Sequence, residues 1–446
     1  MAERLNADAR PEKRLFISLL TRDISLVAAF LDLVDNSVNA AVEPVSDRLK
    51  TANGYQQVFD DATVQPSVNV YLKLAEASVE VRDNAGGISA ATAEQHVFKF
   101  GRSAEDADTR DRLSVYGIGL KRAIFKLGRQ ITIRSDHVEG GFDLKLNVDR
   151  WAADTTQPWT FPITRRDPVP PEKCGTTIIV SDLNEEVSRR ICDGLFVGQL
   201  REAISRTYAF YIAKFVTIYL GDQPVEPMIV DIGANRTSET LEIDGVSCAI
   251  AAGIGDPQGG AFRDRSSGWF IFCNGRTVIS ADKSPLTGWA NPGTGLPIFQ
   301  PKHRPFVGHV FFVSDDPEKL PWTTTKAGIN EDSAIWQEAK RHMVVVGRSV
   351  ISFLDGRYTD EGTEIASADL RQVAQERISV LSSAVSARRS FTPPPVAQSE
   401  TMRIQYDAKV SDIRKIAQYL RRPGMGGAEV GRHTFLYFLR NEVGEK

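Results

Sequence analysis

The chain is 446 residues long, 42% of its residues are hydrophobic and 25% are charged, and its formal net charge is −3. One core seldom supports a chain of this length, so two or three domains are expected, and the small net charge argues against phosphate binding over the whole surface. The apolar runs are too short to cross a bilayer and the N-terminal residues lack the apolar stretch of a signal peptide, so we expect a cytoplasmic protein without a membrane segment.

The four cysteines are widely spaced, with neither a CxxC pair nor a histidine cluster near them. This pattern indicates neither a disulfide framework nor a zinc site. We expect all four to be reduced residues of the core. They are Cys174, Cys192, Cys248 and Cys273.

Helical and strand patterns are mixed in the N-terminal part of the chain. Residues 24–41 place Leu26, Phe30, Val34 and Val38 at near-helical spacing, which predicts an amphipathic helix. The strand patterns lie at 68–74, 78–82, 131–135, 142–148 and 177–181. Because helices and strands do not alternate regularly, the order favours an α+β fold with a helical layer on one face of a mixed sheet.

A change of pattern near residue 205 predicts a second α+β domain. A long helical stretch at 200–215 comes first. The strand patterns that follow lie at 215–220, 246–252, 268–273 and 307–313. We therefore predict one domain over residues 1–205 and another over residues 206–358.

Beyond residue 358 the sequence predicts a linker and a small terminal unit. Residues 359–400 are polar and partly helical, and a run of three prolines stiffens the end of this linker. Residues 401–446 follow a strand, helix, helix (βαα) order that faintly resembles a ribbon-helix-helix module. Residues 368–446 carry 13 Lys and Arg against 8 Asp and Glu, a net charge of +5, so a DNA or protein contact is expected here rather than elsewhere.

Asp32 and Asn36 form the first of four short motifs that carry candidate chemistry. The two residues are four positions apart in a predicted helix, so their side chains project from one face. An acid and an amide could share one ligand there. The alternative is an ordinary solvated acidic face.

The second motif is the run Asp83-Asn84-Ala85-Gly86-Gly87-Ile88, which directly follows a predicted strand. Its glycines permit positive φ and a close approach of the backbone, and an ordinary turn has the same pattern. In the functional interpretation, the Asp83 carboxylate accepts a hydrogen bond from the adenine amino group. Gly87 then leaves room for the ring.

Two glycine motifs complete the set. The run Tyr116-Gly117-Ile118-Gly119-Leu120-Lys121 precedes a helical pattern, where backbone N–H groups, the positive end of the helix and Lys121 could cradle phosphate. Gly175 and Thr176 open an apolar strand. Tight loops and turns without any ligand also show both patterns.

The order of the four motifs points to one family. A helix with an acid and an amide, a strand with Asp-x-x-Gly-Gly, a glycine loop into a helix and Gly-Thr into a strand follow one another within about 150 residues. This order resembles the N box and the glycine boxes of the GHKL ATPases, which include gyrase, heat-shock chaperones, histidine kinases and mismatch-repair ATPases, over residues 15–185. The resemblance implies a Bergerat-type two-layer α/β sandwich that binds ATP and Mg²⁺.

Further segments resemble the microrchidia (MORC) branch of this superfamily. FGRS at 100–103 resembles its glycine-serine lid, and GWFIFCNGRTVI at 268–279 is similar to the Asn-Gly-Arg strand of a transducer domain. Lys326, in LPWTTTKAGIN, stands where such transducers carry a lysine that reaches the γ-phosphate. Residues 206–358 are therefore expected to form a transducer-like domain.

The resemblance implies a role for each matching residue. Asn36 would give its amide oxygen to Mg²⁺, Asp83 would bind adenine, and Lys326 would stabilise charge on the γ-phosphate. Ser103 would lie on the lid, near the phosphates. The nucleotide contacts implied in this way are Asn36, Asp83, Gly87, Ile88, Ser103, Tyr116, Gly117, Ile118, Gly119, Leu120, Lys121 and Thr176.

The general base of this family is usually glutamate, whereas this sequence has Asp32 at that position. Aspartate is one methylene shorter, which predicts slow hydrolysis because a base must come within hydrogen-bond reach of the attacking water. Asp35 lies about 100° from Asn36 around the helix and is a poor substitute. The predicted catalytic residues are therefore Asp32 and Lys326.

The resemblance implies an ATP- and Mg²⁺-dependent conformational switch that forms a homodimer on binding ATP, hydrolyses it slowly, and acts on DNA or in a defence complex. Two alternatives stay open: a non-hydrolysing nucleotide-dependent interaction module and a chaperone-like ATPase. We expect neither a histidine kinase nor a topoisomerase nor a complete heat-shock chaperone, because the flanking segments are too short for the additional domains of those proteins.

Overall fold

The computed structural model consists of two compact units. The described residues are 11–100, 113, 117–154, 158–255, 265–291, 293–356, 377–378, 390–392, 404 and 406–444. The first unit comprises residues 1–359 and 364–394, and the second comprises residues 360–363 and 395–446. The predicted site residues that the structure describes all belong to the first unit.

The described α-helices and strands alternate irregularly along the chain, as an α+β fold requires. The helices are α1 (Lys13–Arg22), α2 (Leu26–Val42), α3 (Ala52–Asp60), α4 (Ala90–Thr92), α5 (Gly119–Leu127), α6 (Val148–Ala153), α7 (Glu185–Ile191), α8 (Gly194–Thr207), α9 (Ala209–Lys214), α10 (Ala334–Gly356), α11 (Val410–Tyr419) and α12 (Gly427–Phe438). The strands are β1 (Val68–Ala75), β2 (Ser78–Asp83), β3 (Gly128–Asp136), β4 (Phe142–Asn147), β5 (Ile163–Arg165), β6 (Gly175–Leu183), β7 (Val216–Leu220), β8 (Gln223–Pro224), β9 (Ile232–Ile243), β10 (Val246–Gly255), β11 (Gly268–Cys273), β12 (Arg276–Asp282), β13 (Phe306–Val313) and β14 (Arg377–Ile378). None of the described helices is long and apolar enough to span a bilayer.

The first sheet has eight strands in the order β5-β4-β3-β6-β2-β1-β7-β8. Neighbouring strands are antiparallel except β1 and β7, so the sheet is mixed, as the sequence predicted. Arg82 of β2 lies opposite Thr177 of β6, and Ser135 of β3 lies opposite Thr176. Asp83, Thr176 and Ser135 therefore form a row across three neighbouring strands.

Helix α2 covers part of this sheet with its apolar face. Its N-cap is Ser25, whose hydroxyl accepts a hydrogen bond from the backbone N–H of Ala28 at 3.1 Å. Phe30, Val34 and Val38 are completely buried, and burial of each such side chain stabilises the fold by about 1.5–3 kcal/mol. Because α2 packs on β1, β2 and α5, the polar residues of the helix are held beside the glycine loop that precedes α5.

The second sheet has six strands in the order β12-β11-β13-β10-β9-β14. Every residue of β10 and β13 is buried, and both strands pack against α10 and α3. Strands that are covered on both faces are near-continuous apolar runs rather than alternating ones. This explains why the sequence pattern was strong for these two strands.

Aromatic residues join the two sheets within the first unit. The ring of Tyr55 in α3 lies 5.3 Å from the ring of Phe210 in α9 and 5.3 Å from that of Phe311 in β13. The hydroxyl of Tyr55 donates to the carbonyl of Asn274 at 2.7 Å, and the hydroxyl of Tyr211 donates to the same carbonyl. The elements before and after residue 205 therefore share one core.

Two local predictions for the first unit need correction. The helix predicted at 200–215 is divided into α8 and α9 at Tyr208, whose backbone leaves the helical conformation (φ −108°, ψ 18°). Cys192 is exposed, whereas the other three cysteines are buried. It follows α7 in a short connection to α8, and connections of this kind run over the surface.

The second unit contains the helical hairpin of α11 and α12. Residues 404 and 406–409 are not in a strand, so the predicted βαα order is wrong in its first element for the part of that segment that the structure describes. A strand is stable only when a neighbouring strand accepts and donates its backbone hydrogen bonds. A sequence pattern alone does not supply that neighbour.

Candidate functional site

Six of the residues predicted to contact nucleotide line one pocket in the first unit. The pocket encloses about 540 Å³, a volume that includes its open mouth. Aromatic side chains such as Phe98 and Phe142 form part of its wall. The six predicted residues are Asn36, Asp83, Gly87, Ile88, Leu120 and Thr176.

The Asp83 carboxylate is the polar centre of this pocket. Its Oδ1 accepts hydrogen bonds from the backbone N–H groups of Ala85 at 3.0 Å and Thr176 at 3.2 Å. Its Oδ2 accepts one from the hydroxyl of Ser37 at 2.6 Å. Because a carboxylate oxygen has two lone pairs, Oδ2 can accept one more hydrogen bond, and the donor would have to come from the pocket.

The pKa of Asp83 is raised. Burial raises it, and this effect outweighs the hydrogen bonds from Ser37, Ala85 and Thr176, which lower it. The ionised carboxylate thus receives less stabilisation here than it would in water. A ligand that donates a hydrogen bond to Oδ2 would restore part of the missing stabilisation of the ionised carboxylate.

Two hydroxyl groups of this network were not predicted from the sequence. Ser37 donates to Asp83, and Ser135 accepts from the backbone N–H of Ile88 at 2.6 Å while its hydroxyl lies 3.2 Å from that of Thr176. Ser37 falls on the apolar face of α2, and it is buried. A hydroxyl on a buried helix face is a signal that the sequence does carry, because such groups need a partner.

Gly87 and Gly175 are required by the close approach of neighbouring strands. A Cβ on Gly87 would lie 2.0 Å from the carbonyl oxygen of Asp136, and a Cβ on Gly175 would lie 2.2 Å from that of Asp83. Gly87 also has a φ of +72°. The sequence predicts that glycines here permit positive φ and a close approach of the backbone, and the structure shows which carbonyl groups approach them.

Gly87→Ala is expected to destabilise the protein much more than Gly86→Ala. Both glycines have positive φ, +72° and +86°, so both alanines incur about 1–2 kcal/mol of backbone strain. Only the Cβ at position 87 meets backbone atoms, and none lies within 4 Å at position 86, so overpacking adds about 1–3 kcal/mol there. Urea unfolding of the two variants measures the difference, and equal losses would contradict the packing argument.

The glycine loop before α5 brings the helix N-terminus close to α2. Gly117 has a φ of +60°, and Ile118 is the residue that caps α5. A Cβ on Gly119 would lie 3.5 Å from the carboxylate carbon of Asp32. The predicted contacts Ser103 and Tyr116 lie outside the described residues.

Lys121 does not line the pocket. Its ammonium donates to the carbonyl oxygens of Val97 and Lys99, each at 2.7 Å, and lies 5.5 Å from the centre of the Phe100 ring. The side chain is 1% exposed. In this arrangement Lys121 fixes the segment that leads towards residue 100, and its predicted contact with phosphate remains a prediction.

Both carboxylate oxygens of Asp32, the predicted base, are engaged by Arg122. Nε donates to Oδ2 at 2.5 Å and Nη2 donates to Oδ1 at 2.9 Å, with both side chains buried. Such a two-point contact fixes the orientation of the carboxylate. Arg122 also donates from Nη1 to the carbonyl of Thr324 at 3.3 Å, which links Asp32 to the loop that carries Lys326.

Lys326 lies against α2 through Asp35. Its Nζ donates to Oδ2 of Asp35 at 2.6 Å. Its backbone is in the left-handed conformation, with a φ of +54°, and its N–H donates to the carbonyl of Thr323 at 2.8 Å. The structure therefore places this lysine on Asp35 of α2, the residue that directly precedes Asn36.

Asp35 has two further partners. Arg276 donates from Nε to Oδ1 at 3.0 Å, and the hydroxyl of Tyr208 donates to the same oxygen at 2.6 Å. Burial alone would raise the pKa of Asp35, but the charges of Arg276 and Lys326 outweigh it and lower the pKa to about 2. Asp35 is therefore ionised at neutral pH and binds cations from the region after residue 205.

The sequence analysis treated Asp35 only as a poor substitute base and did not predict its partners. Arg276 belongs to the Asn-Gly-Arg segment that the resemblance identified, and Arg122 directly follows Lys121 in the third motif. Arg122 is also a buried charge within the amphipathic run of α5. A buried arginine needs a carboxylate, so its presence was a usable signal, but the sequence does not show which carboxylate.

Asn36 fits the role of a magnesium ligand. Its side chain borders the pocket and makes no hydrogen bond to any residue that the structure describes. The described residues contain no group of three or more His, Cys, Asp or Glu that could hold a metal on its own. Mg²⁺ keeps several waters and takes few ligands from the protein, so an amide oxygen at this position is compatible with the predicted role.

The two-layer arrangement and the pocket have the features of a nucleotide-binding domain. Residues 24–176 match the family model described as "Histidine kinase-, DNA gyrase B-, and HSP90-like ATPase". The matched segment contains α2, the glycine loop and all six pocket residues, and it supports the GHKL assignment and nucleotide binding for this part of the chain. A comparison with curated proteins found no match.

Proposed function

We propose that this protein is an ATP- and Mg²⁺-dependent conformational switch, similar to the microrchidia ATPases, that dimerises on binding ATP and hydrolyses it slowly. The observation that carries the proposal is the convergence of residues from all four motifs on one pocket around Asp83. Helix α2 supplies Asn36, the end of β2 supplies Asp83 and the start of β6 supplies Thr176, and Leu120 of the glycine motif also lines the pocket. A fold alone would not justify a function, whereas a site with matching chemistry does.

In the proposed complex the adenine amino group donates to Oδ2 of Asp83, the one oxygen with a free acceptor position on the pocket side. The apolar wall of the pocket covers the faces of the ring. Asn36 provides its amide oxygen to Mg²⁺. The backbone N–H groups from Gly117 to Lys121 and the N-terminus of α5 bind the phosphates.

Lys326 is proposed to contact the γ-phosphate. The loop that carries it lies against α2 and α5, because Lys326 donates to Asp35 of α2 at 2.6 Å and Arg122 of α5 donates to the carbonyl of Thr324. A triphosphate that attracts this lysine would alter the contacts between the two sheets. A contact that forms with the triphosphate and not with the diphosphate is the physical basis of a switch.

The remaining assignments of the proposal concern domains and partners. Residues 1–205 form the ATPase domain and residues 206–358 the transducer, which transmits the nucleotide state to the dimer. Residues 359–400 are a linker, and residues 401–446 bind DNA or a partner protein. The net charge of +5 over residues 368–446 favours this location for a DNA contact.

A non-hydrolysing interaction module is the second candidate, and the Asp32 contacts favour it. Arg122 occupies both oxygens of the candidate base, and a base must accept a proton from the attacking water. Nucleotide binding and dimerisation do not need this step. A phosphate-release assay with a catalytically blocked control, Asp32→Asn, separates the two functions.

A non-hydrolysable ATP analogue with Mg²⁺ is expected to convert the protein to a dimer, whereas ADP with Mg²⁺ is not. Only the analogue has the γ-phosphate that attracts Lys326, and a charge-assisted hydrogen bond of about 1.5–3 kcal/mol changes a population ten-fold or more. Size-exclusion chromatography with light scattering measures the mass, and calorimetry measures binding of each nucleotide.

The matched variants for this experiment are Lys326→Ala and Lys302→Ala. Lys302 is also paired with an aspartate, Asp355, at 2.8 Å, but it has no part in the proposed site. Lys326→Ala should lose most of the response to the analogue and still bind ADP, while Lys302→Ala should behave as wild type. Equal masses with ADP and the analogue would reject the switch.

A further inference from the structure

The two oxygens of Asp35 have different partners. Oδ2 accepts a hydrogen bond from Lys326 at 2.6 Å, whereas Oδ1 accepts from Arg276 at 3.0 Å and from Tyr208 at 2.6 Å. The carboxylate is 1% exposed and the lysine 7%. Water therefore contributes little to either group, and each depends on its protein partners.

We propose that Asp35 determines how strongly the protein distinguishes a nucleoside triphosphate from a diphosphate, because its carboxylate competes with the γ-phosphate for the ammonium of Lys326. This inference rests on the proposed function, in which Lys326 contacts the γ-phosphate. A diphosphate has no γ-phosphate and leaves Lys326 on Asp35. Only the triphosphate must displace the carboxylate, so Asp35 lowers its affinity selectively.

The exchange is feasible because Asp35 keeps a counter-charge after Lys326 leaves. Arg276 is buried, and its Nε remains on Oδ1 together with the hydroxyl of Tyr208. A buried carboxylate that loses its last cation is strongly destabilised, whereas one that retains an arginine is not. The lysine is thus the replaceable member of the network and the arginine is the permanent one.

The loop around Lys326 is held independently of its side chain. Arg276 donates from Nη1 to the carbonyl of Lys326 at 2.7 Å, and Arg122 donates to the carbonyl of Thr324 at 3.3 Å. The N–H of Lys326 donates to the carbonyl of Thr323. The backbone of Lys326 is thus held in place by contacts that do not depend on the ion pair with Asp35.

Asp35 and the proposed magnesium ligand share one helix. Asp35 is adjacent in sequence to Asn36, the proposed magnesium ligand, and both belong to α2. Asp32, on the same helix, is linked through Arg122 to the loop that carries Lys326. The competing carboxylate and the proposed magnesium ligand thus lie on one helix, and Lys326 binds that helix through Asp35.

The test is a comparison of two affinities by calorimetry, for ADP and for a non-hydrolysable ATP analogue, both with Mg²⁺. The measured quantity is the ratio of the ADP dissociation constant to that of the analogue. The proteins are the wild-type chain, Asp35→Asn, Lys326→Met and the double variant. A merely structural role of Asp35 would change both affinities together and leave the ratio as it is.

We expect Asp35→Asn to raise the ratio by about ten-fold or more, since the amide is a weaker partner for the ammonium than the carboxylate. Lys326→Met should lower the ratio, and the double variant should have the same ratio as Lys326→Met, because Asp35 acts only through the lysine. An unchanged or lower ratio in Asp35→Asn would overturn the inference.

Two outcomes separate this inference from the proposed function. If wild type binds neither nucleotide, or if Lys326→Met keeps the wild-type ratio, the proposed role of Lys326 is rejected and the inference falls with it. If Lys326→Met lowers the ratio but Asp35→Asn does not raise it, the inference alone is rejected.

Tyr208→Phe provides the test if Asp35→Asn does not fold. It removes one hydrogen bond to Oδ1 of Asp35 and leaves all charges in place. The carboxylate then holds its cations more strongly, so the ratio is expected to fall by about two- to five-fold. An unchanged or higher ratio in this variant would also overturn the inference.

Discussion

Asp83→Asn is expected to reduce the affinity for ATP by about 100-fold or more, which in practice abolishes binding. The substitution removes the acceptor that Oδ2 of Asp83 offers to the pocket. In the variant, the amide NH₂ group and the adenine amino group are both donors, so the charge-assisted hydrogen bond of the wild type is lost. Both donors are also left unsatisfied, and the two effects together cost more than about 3 kcal/mol.

The structure decides which way the new amide would point. Its NH₂ group cannot replace Oδ1, because the backbone N–H groups of Ala85 and Thr176 already donate there. At the position of Oδ2 it would face Ser37, whose hydroxyl can rotate and accept. The NH₂ group therefore takes the Oδ2 position and presents a donor to the adenine amino group.

Calorimetry with ATP and ADP measures the effect, with Asp149→Asn as the control. Asp149 is an exposed aspartate that is paired with Arg129 at 2.8 Å, so the control makes the same chemical change away from the pocket. Thermal unfolding of both variants shows whether they remain folded. A folded Asp83→Asn variant with wild-type affinity would remove Asp83 from the adenine site and with it the alignment of the second motif.

Asp35→Asn is expected to lower the free energy of unfolding by about 3–5 kcal/mol. Asp35 is buried between Lys326 and Arg276, with distances of 2.6 Å and 3.0 Å. Removing its charge leaves two buried cations facing each other without a counter-charge. The loss should be concentrated at the contact between α2 and the region after residue 205, because both cations come from that region.

Lys326→Met is the informative companion of this variant. It leaves Asp35 with Arg276 and Tyr208, so we expect a smaller loss of about 1–2 kcal/mol. Asp149→Asn again serves as the surface control, since an exposed ion pair contributes less than about 1 kcal/mol. The loss of unfolding free energy should therefore be largest for Asp35→Asn, smaller for Lys326→Met and smallest for Asp149→Asn. This order distinguishes the cost of leaving buried charges unpaired from the cost of losing one contact.

Urea unfolding measured by circular dichroism gives the three free energies, and hydrogen exchange locates the change. Faster exchange in α2 and in the loop around Lys326 is expected for Asp35→Asn. If this variant is as stable as the surface control, the ion pairs around Asp35 do not hold the two parts of the first unit together.

Whether a strand could be predicted from its sequence depended on how completely its residues are buried. The apolar runs at 246–252 and 307–313 overlap β10 and β13, whose residues are all buried. Strand β9, in contrast, was not predicted, because its sequence IGANRTSETLEI is polar along much of its length. It pairs with β10 over nearly its whole length, and that pairing, rather than its own pattern, makes it a strand.

For the candidate site, the sequence determined the residue types and their order, because motif spacing along a helix or next to a strand is local. The resemblance of these motifs to the GHKL ATPases implied that Asn36, Asp83, Gly87, Ile88, Leu120 and Thr176 contact nucleotide, and the structure brings these residues to one pocket. That convergence depends on the strand register: Arg82 opposite Thr177 places Asp83 next to Thr176. Register follows from which faces are buried and is not visible in any single segment.

What the sequence by itself indicated is the superfamily that residues 24–176 match and six of the residues that line the pocket. Only the tertiary structure decided how the charges pair: Asp32 with Arg122, and Asp35 with Arg276 and Lys326. These partners are up to 291 positions apart in the chain, and at such separations the sequence contains no information on which carboxylate a buried cation will meet. The choice is made when α2, α5 and the second sheet pack together, because each buried charge must then find its partner within the space that the packing leaves.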